Sequence, residues 1–84
     1  MEASGKIVKF NKEKKIITLR HGGGANVIYM PCAYEAEHEL ELLICFLENW
    51  TVRISGNYVT RLRLLMIDDY SFVKRYFEPI EPQK

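Results

Sequence analysis

GKIVKFNKEKKIITLR, residues 5–20, decides how the rest of the chain is read. Lys6–Phe10 and Lys15–Arg20 are both rich in isoleucine and valine, and the polar residues Asn11–Lys14 separate them. Two short β-branched runs around a polar turn predict strand, turn, strand. Lysines stand on both sides of that turn. The hairpin therefore reads either as the opening of a nucleic-acid-binding barrel or as a hairpin with a solvated tip.

Working outward, His21-Gly22-Gly23-Gly24 is too rich in glycine for helix or strand and predicts a flexible connection. Asn26–Met30 predicts a third strand, closed by Pro31, which cannot donate to a ladder. The period then changes. Ala36, Leu40, Leu43, Leu47 and Trp50 recur at steps of four and three, which predicts a helix over Tyr34–Trp50 with these residues as its buried stripe. Its glutamates lie mostly in the first half, where they complement the positive end of the helix dipole.

Val52 and Ile54 alternate with Arg53 in a fourth strand, Thr51–Ser55, and Gly56-Asn57 is a turn signal. Over Val59–Ile67, Leu62, Leu64 and Met66 are expected on one face and Arg61, Arg63 and Leu65 on the other. Asp68-Asp69 is expected to end this fifth strand and cap a short helix, Tyr70–Phe77.

The expected fold is α+β. It is a small five-stranded OB-like barrel or a strongly curved antiparallel sheet, in the order β-β-β-α-β-β, with one main helix and a short C-terminal helix. Eighty-four residues allow one core. Residues 1–78 are expected to form a single β/α domain, with 79–84 as an extended tail.

Composition narrows the class. The chain is 48% hydrophobic and 27% charged, as in ordinary globular proteins. No apolar run is long enough for a transmembrane helix, and the charged N-terminus lacks the apolar core of a signal peptide. A cytoplasmic or nuclear rather than secreted setting is expected, with Cys32 and Cys45 as reduced, buried thiols. The formal net charge of +1 hides a segregated distribution. Residues 1–20 hold a surplus of four positive charges, and residues 51–75 a surplus of three. Residues 21–50 carry five glutamates and no lysine or arginine. Segregation of this kind favours oriented binding of a partner.

Gly5, Lys6, Phe10, Asn11, Glu13 and Lys14 give Gly5–Leu19 a pattern that resembles the first hairpin of cold-shock domains, small OB-fold barrels that bind single-stranded nucleic acid. The resemblance implies a barrel scaffold. It does not carry over the binding residues. Lys9 stands where those domains have an exposed tryptophan, and Lys15-Ile16-Ile17-Thr18-Leu19 replaces their second-strand aromatics. Each base stacked on such an aromatic is worth about 1–3 kcal/mol.

The candidate nucleic-acid residues are therefore basic ones. Arg53, Arg61 and Arg63 are expected on the polar face of the second hairpin, with Lys9, Thr18 and Arg20 beside them if the first hairpin joins the same sheet. Tyr29 or Tyr58 would offer a stacking surface. The solvated side of any sheet would carry similar residues. Glu37, Glu41 and Glu48 lie near one side of the helix, as a solvated face or a docking surface for a basic partner. Tyr70, Phe72, Lys74, Arg75 and Tyr76 interleave aromatics with cations, which suits stacking, a partner groove or closure of the core.

Catalytic signals are weak. His21-Gly22-Gly23-Gly24 lacks the nucleophile elbow that an oxyanion loop needs and the Lys-Ser/Thr of a phosphate loop. Cys32, His38 and Cys45 lack zinc-ligand spacing. No enzyme activity, cofactor, metal or membrane partner is expected. The leading expectation is a non-catalytic module that binds single-stranded nucleic acid. Its rival is a small protein-interaction module (a subunit, adaptor or virus-encoded inhibitor) that docks through the acidic helix or the C-terminal aromatic segment, with a homodimer as one form.

Overall fold

The computed structural model describes residues 1–73, which form a closed five-stranded barrel with one α-helix. The strands are β1 (Glu2–Asn11), β2 (Ile16–His21), β3 (Ile28–Ala33), β4 (Thr51–Val59) and β5 (Leu64–Val73). A 3-10 turn, Ala36–His38, leads into helix α1, Glu39–Glu48, between β3 and β4. Around the barrel the order is β1-β2-β3-β5-β4, and β4 returns to pair with β1. All neighbours are antiparallel except β3 and β5, whose parallel pairing of Cys32 with Leu65 and Ala33 with Met66 closes the wall. The sheet is therefore a barrel and not an open curved sheet, and a 3-10 turn stands ahead of the helix in an order that otherwise runs β-β-β-α-β-β.

Every strand contributes to one core. Ile17, Leu19, Cys32, Val52, Ile54 and Leu65 are fully enclosed, and Leu42 and Cys45 enter from α1. The helix packs against β1, where the Phe10 ring lies 5.9 Å from Phe46 and 5.4 Å from Tyr34. It ends where Asn49 turns left-handed at φ 61°, and the Trp50 N–H donates to the Cys45 carbonyl at 3.0 Å. Asparagine tolerates that conformation and closes the helix with a Schellman-type bond.

Several expected details are corrected. Pro31 lies within β3, one residue before the pairing with β5 begins, where the side towards β5 is still unpaired. Gly56-Asn57 is not the second hairpin's turn. β4 runs through it, and the chain reverses at Thr60–Arg63, where Arg63 adopts φ 54°. Gly56 instead marks a register shift. A Cβ there would meet the Met66 carbonyl oxygen at 2.0 Å, so only glycine fits this close approach. On β5 the buried residues are Leu65 and Ile67, and Leu62 and Met66 are exposed, the opposite of the expected faces. Apolar residues on both parities of Leu62–Ile67 leave the phase open to this error.

The expected C-terminal helix is also corrected where it is described. Tyr70–Val73 finish β5, with Ile54 opposite Tyr70 and Val52 opposite Phe72. Alternation of Tyr70 and Phe72 with Ser71 suits a strand. The rest of that segment, including Lys74, Arg75 and Tyr76, lies outside the described residues, as does the expected boundary at 78/79.

In α1 the buried face is Leu42 and Cys45, while Leu40 and Leu47 are each 69% exposed. Of the expected stripe, Leu40 and Leu47 face solvent, Leu43 is half-buried and Trp50 packs against the core. Apolar residues lie on both sides of α1, so their spacing leaves its inward face open.

Candidate nucleic-acid interface

Pairing across β1, β2 and β3 sets three residues in one line. Lys6 is opposite Arg20, and Arg20 is opposite Tyr29. Their neighbours Leu19 and Met30 point into the core, so Arg20 and Tyr29 face outward, with Tyr29 60% exposed. Directly opposed side chains on one face lie within about 5 Å at Cβ, close enough for the Arg20 guanidinium to border the tyrosine ring.

The next outward line is Lys9, Thr18 and Pro31. Lys9 reaches it through a bulge. The register passes from Ile7 opposite Leu19 to Lys9 opposite Thr18, leaving Val8 as the extra residue. Without it, alternation from buried Ile7 would turn Lys9 inward. The line borders an open concavity of about 510 Å³ whose walls include Lys9, Asn11, Lys12, Ile16 and Thr18. Asn11 shapes the adjoining turn by accepting the Lys14 N–H at its Oδ1, 3.0 Å away.

Arg61 and Arg63 approach from another element. Because β3 and β5 run parallel, the turn preceding Leu65 lies at the same end as the residues preceding Cys32, Tyr29 among them. Tyr58, 39% exposed, belongs to this end but stands opposite the enclosed Leu65, so it shares that residue's side of the wall and not the outer face, which corrects its expected place on the binding surface. The surface thus brings together Lys9, Arg20 and Tyr29, with Arg61 and Arg63 at its margin. Lys6 and the turn lysines Lys12, Lys14 and Lys15 extend it. Period-two alternation would have marked Lys6 as a partner of Arg20 once the register was known.

Arg53 does not join them. It lies on β4 between Ser4 and Ser71, eight residues and roughly 26 Å of strand from Arg61. In the circular order β4 is two strands removed from both β2 and β3. The expectation that Arg53, Arg61 and Arg63 share one sheet face is corrected, since the last two are turn residues.

The candidate protein-docking residues are partly engaged within the fold. Phe72 stacks on Trp50 at 5.4 Å, and both pack against the core. The Tyr70 hydroxyl donates to Glu41 Oε1, and the Tyr70 and His38 rings pack edge to face with centroids 4.9 Å apart. Glu37 lies 3.3 Å from His38 Nε2, and Glu48 is exposed. Glu39 accepts from the Tyr34 hydroxyl at 2.9 Å and faces Lys12 at 3.9 Å.

Cys32 and Cys45 are free and fully enclosed. Burial pushes the Cys32 thiol up to about 12. Burial, then Glu41, pushes Cys45 to about 11. Burial and Glu39 push Tyr34 to about 12, and burial and Glu41 raise Tyr70 as well. In the unfolded chain these groups titrate near ~8.5 for thiols and ~10 for tyrosines. Raised groups keep their protons in the fold, so the unfolded state binds fewer protons as pH rises. Stability should hold at pH 7–8, begin to fall above about 8.5 and fall faster beyond about 10. Urea midpoints across that range check this, and a flat profile to pH 11 would contradict the enclosure of these groups.

Among the described residues no group of three or more histidine, cysteine or acidic side chains is placed to hold a metal. No helix of the described chain is long and apolar enough to cross a membrane. No protein-family model matches the chain, and no curated protein matches it significantly.

Proposed function

We propose that the protein is an OB-like module that binds single-stranded nucleic acid on the outer face of β2 and β3. The observation that carries this reading is the line Lys6–Arg20–Tyr29, an exposed aromatic ring in register with two cations. Barrels of the OB type bind oligonucleotides or oligosaccharides on this face and on the β1–β2 and β4–β5 turns. Both turns here carry cations: Lys12, Lys14 and Lys15 in the first, Arg61 and Arg63 in the second. Phosphates are attracted to Lys9, Arg20, Arg61 and Arg63, and one base stacks on Tyr29. Loss of the aromatic platforms of cold-shock hairpins implies modest affinity and little base preference.

The test is fluorescence anisotropy of a labelled oligothymidine at two salt concentrations. Up to four phosphate contacts on a single strand give a log–log slope of roughly −3, or about 50-fold weaker binding between about 50 and 200 mM salt. Tyr29→Ala should weaken binding by about tenfold, the loss of one stacked base. No binding at the lower salt, or a Tyr29→Ala protein that binds like the parent, would sink this reading.

A further inference from the structure

Helix α1 is apolar on two opposite sides. Leu42 and Cys45 fill the core, while Leu40, Ile44 and Leu47 follow the i, i+4, i+7 spacing of a second stripe and face solvent. Their exposures are 69%, 39% and 69%. Beside this stripe run Glu41 and Glu48, seven residues apart and so on one flank, with exposed Glu37 just before the helix. Among the described residues, the ion pairs of this region engage Glu37 and Glu39, and neither engages Glu41 or Glu48. Glu41 accepts a hydrogen bond from the Tyr70 hydroxyl, which leaves its charge unbalanced.

We infer that this outer face of α1 is a docking surface for another protein, one that presents an amphipathic basic helix. Its apolar side covers Leu40, Ile44 and Leu47, and its lysines or arginines meet Glu41 and Glu48. The charge pattern selects this occupant. A second copy of α1 brings no cation, because residues 21–50 contain no lysine or arginine. Nucleic acid is repelled by the same glutamates. The surface belongs to α1, apart from the strands that carry the proposed nucleic-acid face, so the module would bridge a strand and a protein.

The test uses a synthetic helical peptide with a leucine stripe and lysine flanks, a counterpart with glutamate flanks, and amide chemical-shift mapping on the full chain. The lysine peptide should shift resonances of α1 and bind at least about tenfold more tightly than the glutamate peptide. Leu40→Gln/Leu47→Gln, which changes only exposed positions, should weaken it by about tenfold or more, while Arg20→Glu leaves it unchanged. Shifts mapped elsewhere, or indifference to Leu40→Gln/Leu47→Gln, overturn the proposal. A free chain that sediments as a dimer until Leu47 is changed also overturns it, in favour of a second copy. A Lys74→Glu/Arg75→Glu variant that binds about tenfold more tightly overturns it in favour of the chain's own C-terminal segment. Nucleic-acid affinity is read separately with oligothymidine, so either proposal can fail alone.

Discussion

Leu42→Ala should lower the free energy of unfolding by about 3 kcal/mol, whereas Leu47→Ala, five residues along the same helix, should change it by less than about 0.5 kcal/mol. Leu42 is wholly enclosed, and its removal leaves a cavity bounded by the barrel's own side chains. In a core drawn from five strands and one helix, those neighbours are held by the sheet ladders and relax little. Leu47 is 69% exposed, so its truncation uncovers little apolar surface and opens no cavity. Urea denaturation of the two variants, with the slope checked for constancy, measures the contrast. Equal losses would mean that α1 buries Leu47 as well. A larger loss for Leu47 would mean that the helix is rotated by half a turn.

That contrast matters because the sequence favours the opposite ranking. Ala36, Leu40, Leu43, Leu47 and Trp50 form a regular stripe only if one continuous helix runs from Tyr34 to Trp50. The 3-10 turn at Ala36–His38 and the left-handed Asn49 break it at both ends. Between them, seven of the ten helical residues are apolar, so periodicity detects a helix and cannot choose its inward face. Element order was easier to read, because it depends on local composition: Ile and Val in β1 and β2, glycines after His21, glutamates and leucines in α1. The pairing of β3 with β5 was not legible, since it joins residues far apart in sequence. Without that pairing, nothing relates the Thr60–Arg63 turn to Tyr29.

The candidate site was obscured for a related reason. Arg53, Arg61 and Arg63 alternate with apolar residues and so resemble one polar face, but β4 extends through Gly56 and carries the last two into a turn. The bulge at Val8 has no sequence mark, and it alone turns Lys9 outward. Sequence offers Arg20 and Tyr29 for one surface, but only the register sets them directly opposite each other. Residue type is enough to nominate cations and aromatics as candidates for phosphate and bases. Their grouping depends on hydrogen-bond register.

Arg20→Glu and Arg53→Glu should separate a binding face from a general electrostatic effect. Each variant lowers the formal net charge of +1 by two, and each changes an exposed side chain on a strand. If net charge governed attraction to nucleic acid, the two would weaken binding alike. The proposed face gives a different outcome. Arg20→Glu puts a carboxylate beside Tyr29 and repels the phosphate that the guanidinium held. Arg53→Glu acts on β4, two strands away around the barrel. At about 50 mM salt, Arg20→Glu should weaken oligothymidine binding by about tenfold or more, and Arg53→Glu by less than about threefold. Adding Arg61→Glu and Arg63→Glu to Arg20→Glu should bring the loss to at least about 100-fold, taking three charge contacts at about 1 kcal/mol each. The salt slope should flatten by roughly 0.7 for each contact removed. All three positions are exposed, so circular dichroism should report an unchanged fold. Equal losses for Arg20→Glu and Arg53→Glu, or a slope that survives the triple change, would mean that nucleic acid does not follow the β2–β3 face.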